Sequence, residues 1–391
     1  MTQLTFPVGY YQLHQNPSMN FQMNRWFNWV GEQAMLEEMR AVAPRIRDYG
    51  DWKREFLALA DIVSRAGHVL RAGFYYRSAE FFMRADDVDR KVAREKFLSA
   101  IRAVYRLHEI DQHAIAYVDG HREGFLPAYR FTPTQARGAI VFFGGFDSYI
   151  EELAPLFFYL RDAGYETIAF EGPGQGGALN EAGLPMTHEW HKPVKAILDY
   201  FGLDQVTLVG LSLGGCLALR AAAFEPRIAR VIAYDVLSDF LEANLRQVRP
   251  LTRRLLNVQL HLGAAPLVNG LVKRALKTNP VLEWGLYQGM HVTGTSSPYE
   301  YLQNLKRFNT ADVSPLVKQD VLLLAGSEDH FVPVEQFHRQ IKMLTHARSL
   351  TARLFTSGES AQNHCQVGNY GLAFATIVNW IDTMQTAAAQ R

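Results

Sequence analysis

The residues best suited to chemistry stand at Gly210-Leu211-Ser212-Leu213-Gly214, followed directly by Gly215. A serine between glycines at this spacing fits a strained strand-to-helix turn that exposes its hydroxyl. The context agrees: the apolar run Val206–Val209 precedes it as a strand, and the small-residue stretch Cys216–Ala223 follows as a helix. A hydroxyl is a weak nucleophile until a base takes its proton, and the base needs an acid to orient it. On a sheet of this kind the three groups come in the order serine, acid, histidine. Asp329 fits the acid, in a loop just beyond the apolar strand Val321–Leu324. Its rivals are Glu328 beside it and Asp235 at the end of an earlier strand. His364 fits the base, in the loop between the last strand and the last helix. His330 and His338 are nearer to Asp329, but they crowd the acid's own loop or lie on its helix.

Attack on a carbonyl also needs donors for the oxyanion. The amide of Leu213, next after the serine, supplies one. The loop Gly144-Gly145-Phe146-Asp147, after the strand Ala139–Phe143, supplies the other. Phe146 N–H is favoured there and Gly145 N–H comes second, since a glycine pair lets the backbone turn its amides toward a ligand. Asp147 and Glu151 read as a helix cap and a first-turn carboxylate. The run Gly172–Gly177 (GPGQGG) lacks both the Gly-Lys-Ser/Thr ending and the dinucleotide spacing, so no nucleotide is expected. His188 and His191 lie three apart on a predicted helix without a third ligand nearby, and no metal is expected. Cys216 and Cys365 read as buried, inert thiols. Nothing calls for a cofactor.

The composition is that of a folded chain: 391 residues, 48% hydrophobic and 20% charged. Lys+Arg is 40 and Asp+Glu 39, so no overall basic field exists to hold nucleic acid. No apolar run reaches the ~18 residues of a transmembrane helix, and no charged start with a short apolar core marks a signal peptide. Two cysteines make neither a disulfide framework nor a zinc site. The expectation is a soluble cytoplasmic protein that takes a small-molecule substrate, with neither nucleic acid nor membrane as partner.

Positioning the reactive groups falls to two kinds of element. From about Asn24 to Glu109 apolar residues recur at helical spacing, as with Trp52, Phe56, Leu59, Ala60 and Val63, and three to five helices are predicted. Ala114–Asp119 and Leu126–Phe131 follow as a strand pair joined by a turn over Asp119–Gly124. Near-continuous apolar strands then alternate with helices, which implies a mostly parallel sheet covered on both faces, an α/β fold. Between Val236 and Asp320 only helical pieces are predicted, Phe240–Leu260, Leu267–Lys277 and Pro298–Phe308, an insertion of lid size. The expected layout is a helical N-terminal cap at residues 1–112, a core at 113–236 and 320–391, and a helical lid insertion at 237–319.

Together these motifs resemble the α/β-hydrolase superfamily from about Ala114 to Trp380. The stretch Asn20–Trp26, the aromatics from Tyr75-Tyr76 to Phe81-Phe82, and the pairing of Gly144–Ser148 with Phe170–Gly176 resemble a narrower, capped subgroup. That subgroup contains 2,6-dihydroxypseudooxynicotine hydrolase and fungal polyketide-shortening hydrolases. The resemblance implies a cap over the site, a homodimer, and cleavage of a carbon–carbon bond next to a ketone. Its triad falls on Ser212, Asp329 and His364, and an extra acidic group is sought at Asp235 or Asp239. A carboxylesterase or lactonase on an apolar ester is the alternative. Acyl transfer to another acceptor and a ligand receptor on a hydrolase scaffold remain as further classes.

Overall fold

The computed structural model describes residues 5–246, 248–276 and 280–389. Among them eight strands form one sheet: β1 (Asp111–Asp119), β2 (Arg122–Phe131), β3 (Ala139–Phe143), β4 (Glu166–Phe170), β5 (Val206–Leu211), β6 (Ile228–Tyr234), β7 (Asp320–Gly326) and β8 (Ser349–Phe355). Their order is β1-β2-β4-β3-β5-β6-β7-β8. β1 and β2 form an antiparallel hairpin, β2 pairs antiparallel with β4, and the rest run parallel. The strands β3 to β7 bury almost every side chain, as parallel strands with helices on both faces must. β3 has β4 on one side and β5 on the other, so the chain leaves this point in opposite directions and opens a crevice at the carboxyl ends of the strands.

Five α-helices precede the sheet: Pro17–Val30, Gln33–Val42, Tyr49–Arg65, Val69–Phe81 and Arg90–Val104. The first begins well before the predicted Asn24. Asn16 caps it by accepting from Ser18 N and Met19 N, and Pro17 supplies a preset φ at the first position. Its register was obscured in the sequence because polar side chains stand on a buried face. Asn20 accepts from Leu13 N and His14 N, while Asn24 bonds both the N–H and the C=O of Tyr11. Asn28 receives Gly368 N–H at 3.0 Å, fastening this helix to the segment that follows His364.

Three further expectations are corrected. The hairpin turn is tighter than Asp119–Gly124, because Gly124 already pairs with Tyr117 and the chain reverses at Gly120-His121. Phe240–Leu260 is two helices, Phe240–Asn244 and Pro250–His261, since Pro250 cannot continue a helix from behind and begins a new one. A helix at Pro280–Thr293, absent from the sequence reading, completes the insertion. Lys277, the end of another predicted piece, lies outside the described residues.

The helical layer meets the sheet through a buried charge network. Arg77 is 2% exposed and holds Glu152 at 2.5 Å, and it also bonds Glu80 and the carbonyl of Asp147. Arg25 spans Asp147 at 2.9 Å and Glu152 at 2.8 Å. Tyr149 donates to Glu80, which Arg90 also reaches. Charges this deep are stable only while every partner is present. Replacing Arg77 by Met leaves Glu80 and Glu152 short of a cation, and the expected cost is about 3–5 kcal/mol of stability, measured by urea unfolding.

Candidate active site

The turn after β5 is built by close backbone approach. Ser212 sits at φ 61° and ψ −121°, a conformation that L-residues avoid and that surrounding structure must enforce. Its amide donates to Tyr234 O at 2.6 Å and its carbonyl accepts from Gly215 N. A side chain at Gly210 would overlap the Gly214 carbonyl, and one at Gly215 would overlap that of Asp235. The hydroxyl therefore stands at the head of the helix Leu213–Ala222, above the carboxyl end of the sheet.

His364 Nε2 lies 2.8 Å from Ser212 Oγ, and Nδ1 lies 2.5 Å from Asp329 Oδ2. The other oxygen of Asp329 accepts Phe331 N–H and Val332 N–H at 2.7 and 2.9 Å, which fixes the carboxylate. Burial works against an ionised Asp329, but the adjacent imidazole and these donors hold its pKa below the usual range. Burial likewise works against charge on His364, and Asp329 outweighs it, so the His364 pKa stands well above 6.5. The loops carrying the two residues touch: Glu328 N donates to Gln362 O at 2.9 Å.

Asp235, the rival acid, is also present. Its Oδ2 lies 3.6 Å from His364 Nδ1 and accepts Cys365 N–H, and Oδ1 accepts Val236 N–H. Burial first, and the Asp329 charge second, push its pKa well above the carboxylate range, so this acid is neutral where Asp329 is ionised. Asp239 is committed elsewhere: it caps the helix Phe240–Asn244 and accepts from Asn309. Glu328 points to solvent, and burial lowers the His330 pKa to about 4. His338 is exposed on the helix Val334–Met343.

The loop after β3 closes against the serine. An added Cβ on Gly145 would stand 2.9 Å from Ser212 Cβ and 3.2 Å from Leu213 N. Gly145 N–H is already directed at Ser148 Oγ, 3.4 Å away, whereas no described residue accepts from Phe146 N–H or Leu213 N–H. Gln175 holds this loop: its amide donates to Gly144 O at 2.6 Å and Gly145 O at 3.0 Å, while Gly172 N–H returns to its Oε1. That is the physical content of the GPGQGG run, and the sequence reading missed it. A lone glutamine in a glycine-rich loop was the available signal.

Asp147 corrects the expected cap, because Tyr149 occupies that position and Asp147 pairs with Arg25. Glu151 does lie in the first turn, paired with Arg102. His188 and His191 do not share a helix, which begins at His191. Both cysteines are buried, and burial pushes the Cys216 thiol up to about 12. One set of donor atoms, on Asp235, His364 and Cys365, lies within 4.8 Å. It shares its imidazole with Ser212 and Asp329, so a metal there would displace Asp329 if it bound Nδ1, or Ser212 if it bound Nε2.

A small cavity of about 20 Å³ adjoins the loop after β3. Arg77, Glu80 and Phe81 line it from the N-terminal helices, Phe146 from the sheet, and Trp284 and Gln288 from the insertion. The Phe21 ring covers the histidine side, 4.8 Å from His330 and 6.2 Å from His364.

Residues 140–362 match the family model of the alpha/beta hydrolase fold. The chain belongs to that family and is an enzyme, a hydrolase. It is similar to hydrolase acrC of Aspergillus aculeatus, at 26% identity over 389 residues, covering 90% of this chain and 88% of acrC. Its similarity to 20-hydroxy-prefusarin hydrolase FUS2 of Gibberella moniliformis is also 26%, covering 80% of this chain and 82% of FUS2. Among solved structures it shares its fold with 2,6-dihydroxy-pseudo-oxynicotine hydrolase, at a TM-score of 0.60 and 20% identity over 91% of this chain and 94% of that one. No helix among the described residues is long and apolar enough to cross a membrane.

The electrostatics give a direct test. Asp329→Asn removes the charge that outweighs burial, so the His364 pKa falls from above 6.5 to below it. Asp235→Asn leaves it raised. NMR titration of 15N-labelled histidine reads both, and an unmoved His364 in Asp329→Asn contradicts the pairing.

Proposed function

We propose that the protein is a serine hydrolase that cleaves a carbon–carbon bond next to a ketone, on a β-diketone or polyketide-like aromatic substrate. The observation that carries this reading is the line Ser212 Oγ–His364–Asp329, at 2.8 and 2.5 Å, beside two amides without acceptors. Ser212 attacks the carbonyl carbon as His364 Nε2 takes its proton, and Asp329 orients the ring and stabilises the imidazolium. The amides of Leu213 and Phe146 receive the oxyanion, with Gly145 N–H as the second choice on its loop. Collapse breaks the carbon–carbon bond and sends its electron pair to the departing carbon, which His364 protonates. Water, deprotonated by the same histidine, then splits the acyl-serine ester. One water is consumed, and the products are a carboxylic acid and a shortened ketone.

A bare carbanion is too poor a leaving group, so the departing carbon needs a second carbonyl that makes it an enolate. An imidazolium stabilised by a buried carboxylate suits the protonation that this departure requires. Phe81, Phe146 and Trp284 come together beside the loop after β3, which supports an aromatic substrate. In this reading residues 1–112 act as a cap and 237–319 as a lid over a core of 113–236 and 320–391. The reaction needs no cofactor or metal. The resemblance to the capped subgroup supports the bond type.

The test is a panel of aryl β-diketones beside aryl esters, assayed with the parent and Ser212→Ala. Diketone cleavage lost in the variant supports the proposal. Fast ester turnover with untouched diketones makes the protein a carboxylesterase or lactonase, and a variant equal to the parent overturns the serine mechanism. Asp329→Asn is expected to lower kcat by about 10³–10⁴. The base must be neutral to take a proton and its pKa is raised, so kcat/KM of the parent rises with pH along a limb above 6.5.

A further inference from the structure

The helix Pro250–His261 has two apolar faces. Leu256 and Leu260 are buried toward the insertion. On the opposite side Leu251, Leu255, Val258 and Leu262 are 80%, 50%, 55% and 75% exposed. Their spacing of four, three and four residues puts them on one line along the helix and its cap residue. Leu267, at the start of the helix Ala265–Leu276, is 61% exposed as well. Single exposed leucines need no account, whereas an aligned row of four marks an interaction surface.

The charge around this row is of one sign. Residues 243–282 hold seven of the chain's 40 Lys and Arg residues and none of its 39 acids. Arg249, Arg254, Lys273 and Arg274 are exposed there. The flanking acids do not neutralise them, since Glu242 pairs with Arg339 and Glu283 with Arg84. An apolar ridge flanked by unopposed cations is the pattern of a helix lying in the plane of an anionic lipid surface.

We propose that this face of the insertion docks on a membrane surface bearing anionic headgroups, with Leu251, Leu255, Val258 and Leu262 entering the acyl boundary. A second copy fits less well. A two-fold pairing sets a surface against itself, and here that would oppose two stretches carrying only positive charge. The row is aliphatic throughout and lacks the Trp and Tyr anchors that dominate protein interfaces. The expectation of no membrane partner followed from the lack of a spanning segment, which says nothing about a helix that lies flat. The proposal is independent of the bond that the enzyme cleaves.

Flotation of the full chain with phosphatidylcholine vesicles, with and without phosphatidylserine, tests it. Binding is expected only with phosphatidylserine, and it should weaken roughly tenfold or more in Leu255→Ser/Leu262→Ser, in Arg249→Gln/Arg254→Gln/Lys273→Gln and at high salt. Each variant is compared at an unchanged melting transition, and the charge variant serves if the leucine variant fails to fold. Three results overturn the proposal: no binding to either vesicle, equal binding of parent and variants, or a parent dimer that the leucine variant splits into monomers.

Discussion

The site depends on one constraint, the close approach of two backbone turns at the carboxyl ends of β3 and β5. Gly145 passes so near Ser212 and Leu213 that no side chain fits between them. That contact sets the loop bearing Phe146 directly against the Ser212-Leu213 turn. The strained Ser212 backbone is held by the same packing, since its amide is bonded to Tyr234 and its neighbours Gly210 and Gly215 lie against carbonyls. Gln175 then clamps the Gly144-Gly145 carbonyls from the loop after β4, so three strand ends share one rigid corner.

The N-terminal helices belong to this corner. Arg25 and Arg77 bind Asp147 and Glu152, which flank the loop that carries Phe146. Asn28 holds the chain just beyond His364, and Phe21 covers the histidine. These helices therefore both line the cavity and hold the loops that flank Phe146 and His364. Buried ion pairs contribute little net stability, but they fail badly when one member is lost, which makes them suited to fixing register.

Much of the core was legible in the sequence because parallel strands are continuous apolar runs ended by glycine or a polar residue. Ala139–Phe143 is a strand with the predicted ends, and the expected serine, acid and histidine come together at hydrogen-bond distance. What could not be read are contacts between distant elements. Asn20 and Asn24 look like solvated polar positions until the segment at Tyr11 and Leu13 that they bind is in place, and Asn28 does so until Gly368 reaches it. Asp235 looked like a displaced rival to Asp329, yet both carboxyls reach the same imidazole because β6 and β7 are neighbours. The helix Pro280–Thr293 carries Trp284 to a cavity that local periodicity does not reveal.

The central claim is that His364 activates Ser212. A fluorophosphonate reacts with a serine only as far as that serine is activated, so labelling the folded chain and locating the adduct by peptide mass spectrometry tests it most directly. The account predicts one adduct, on Ser212, abolished in Ser212→Ala and strongly slowed in His364→Ala. An adduct on a different serine, or Ser212 labelled equally fast without His364, would contradict it.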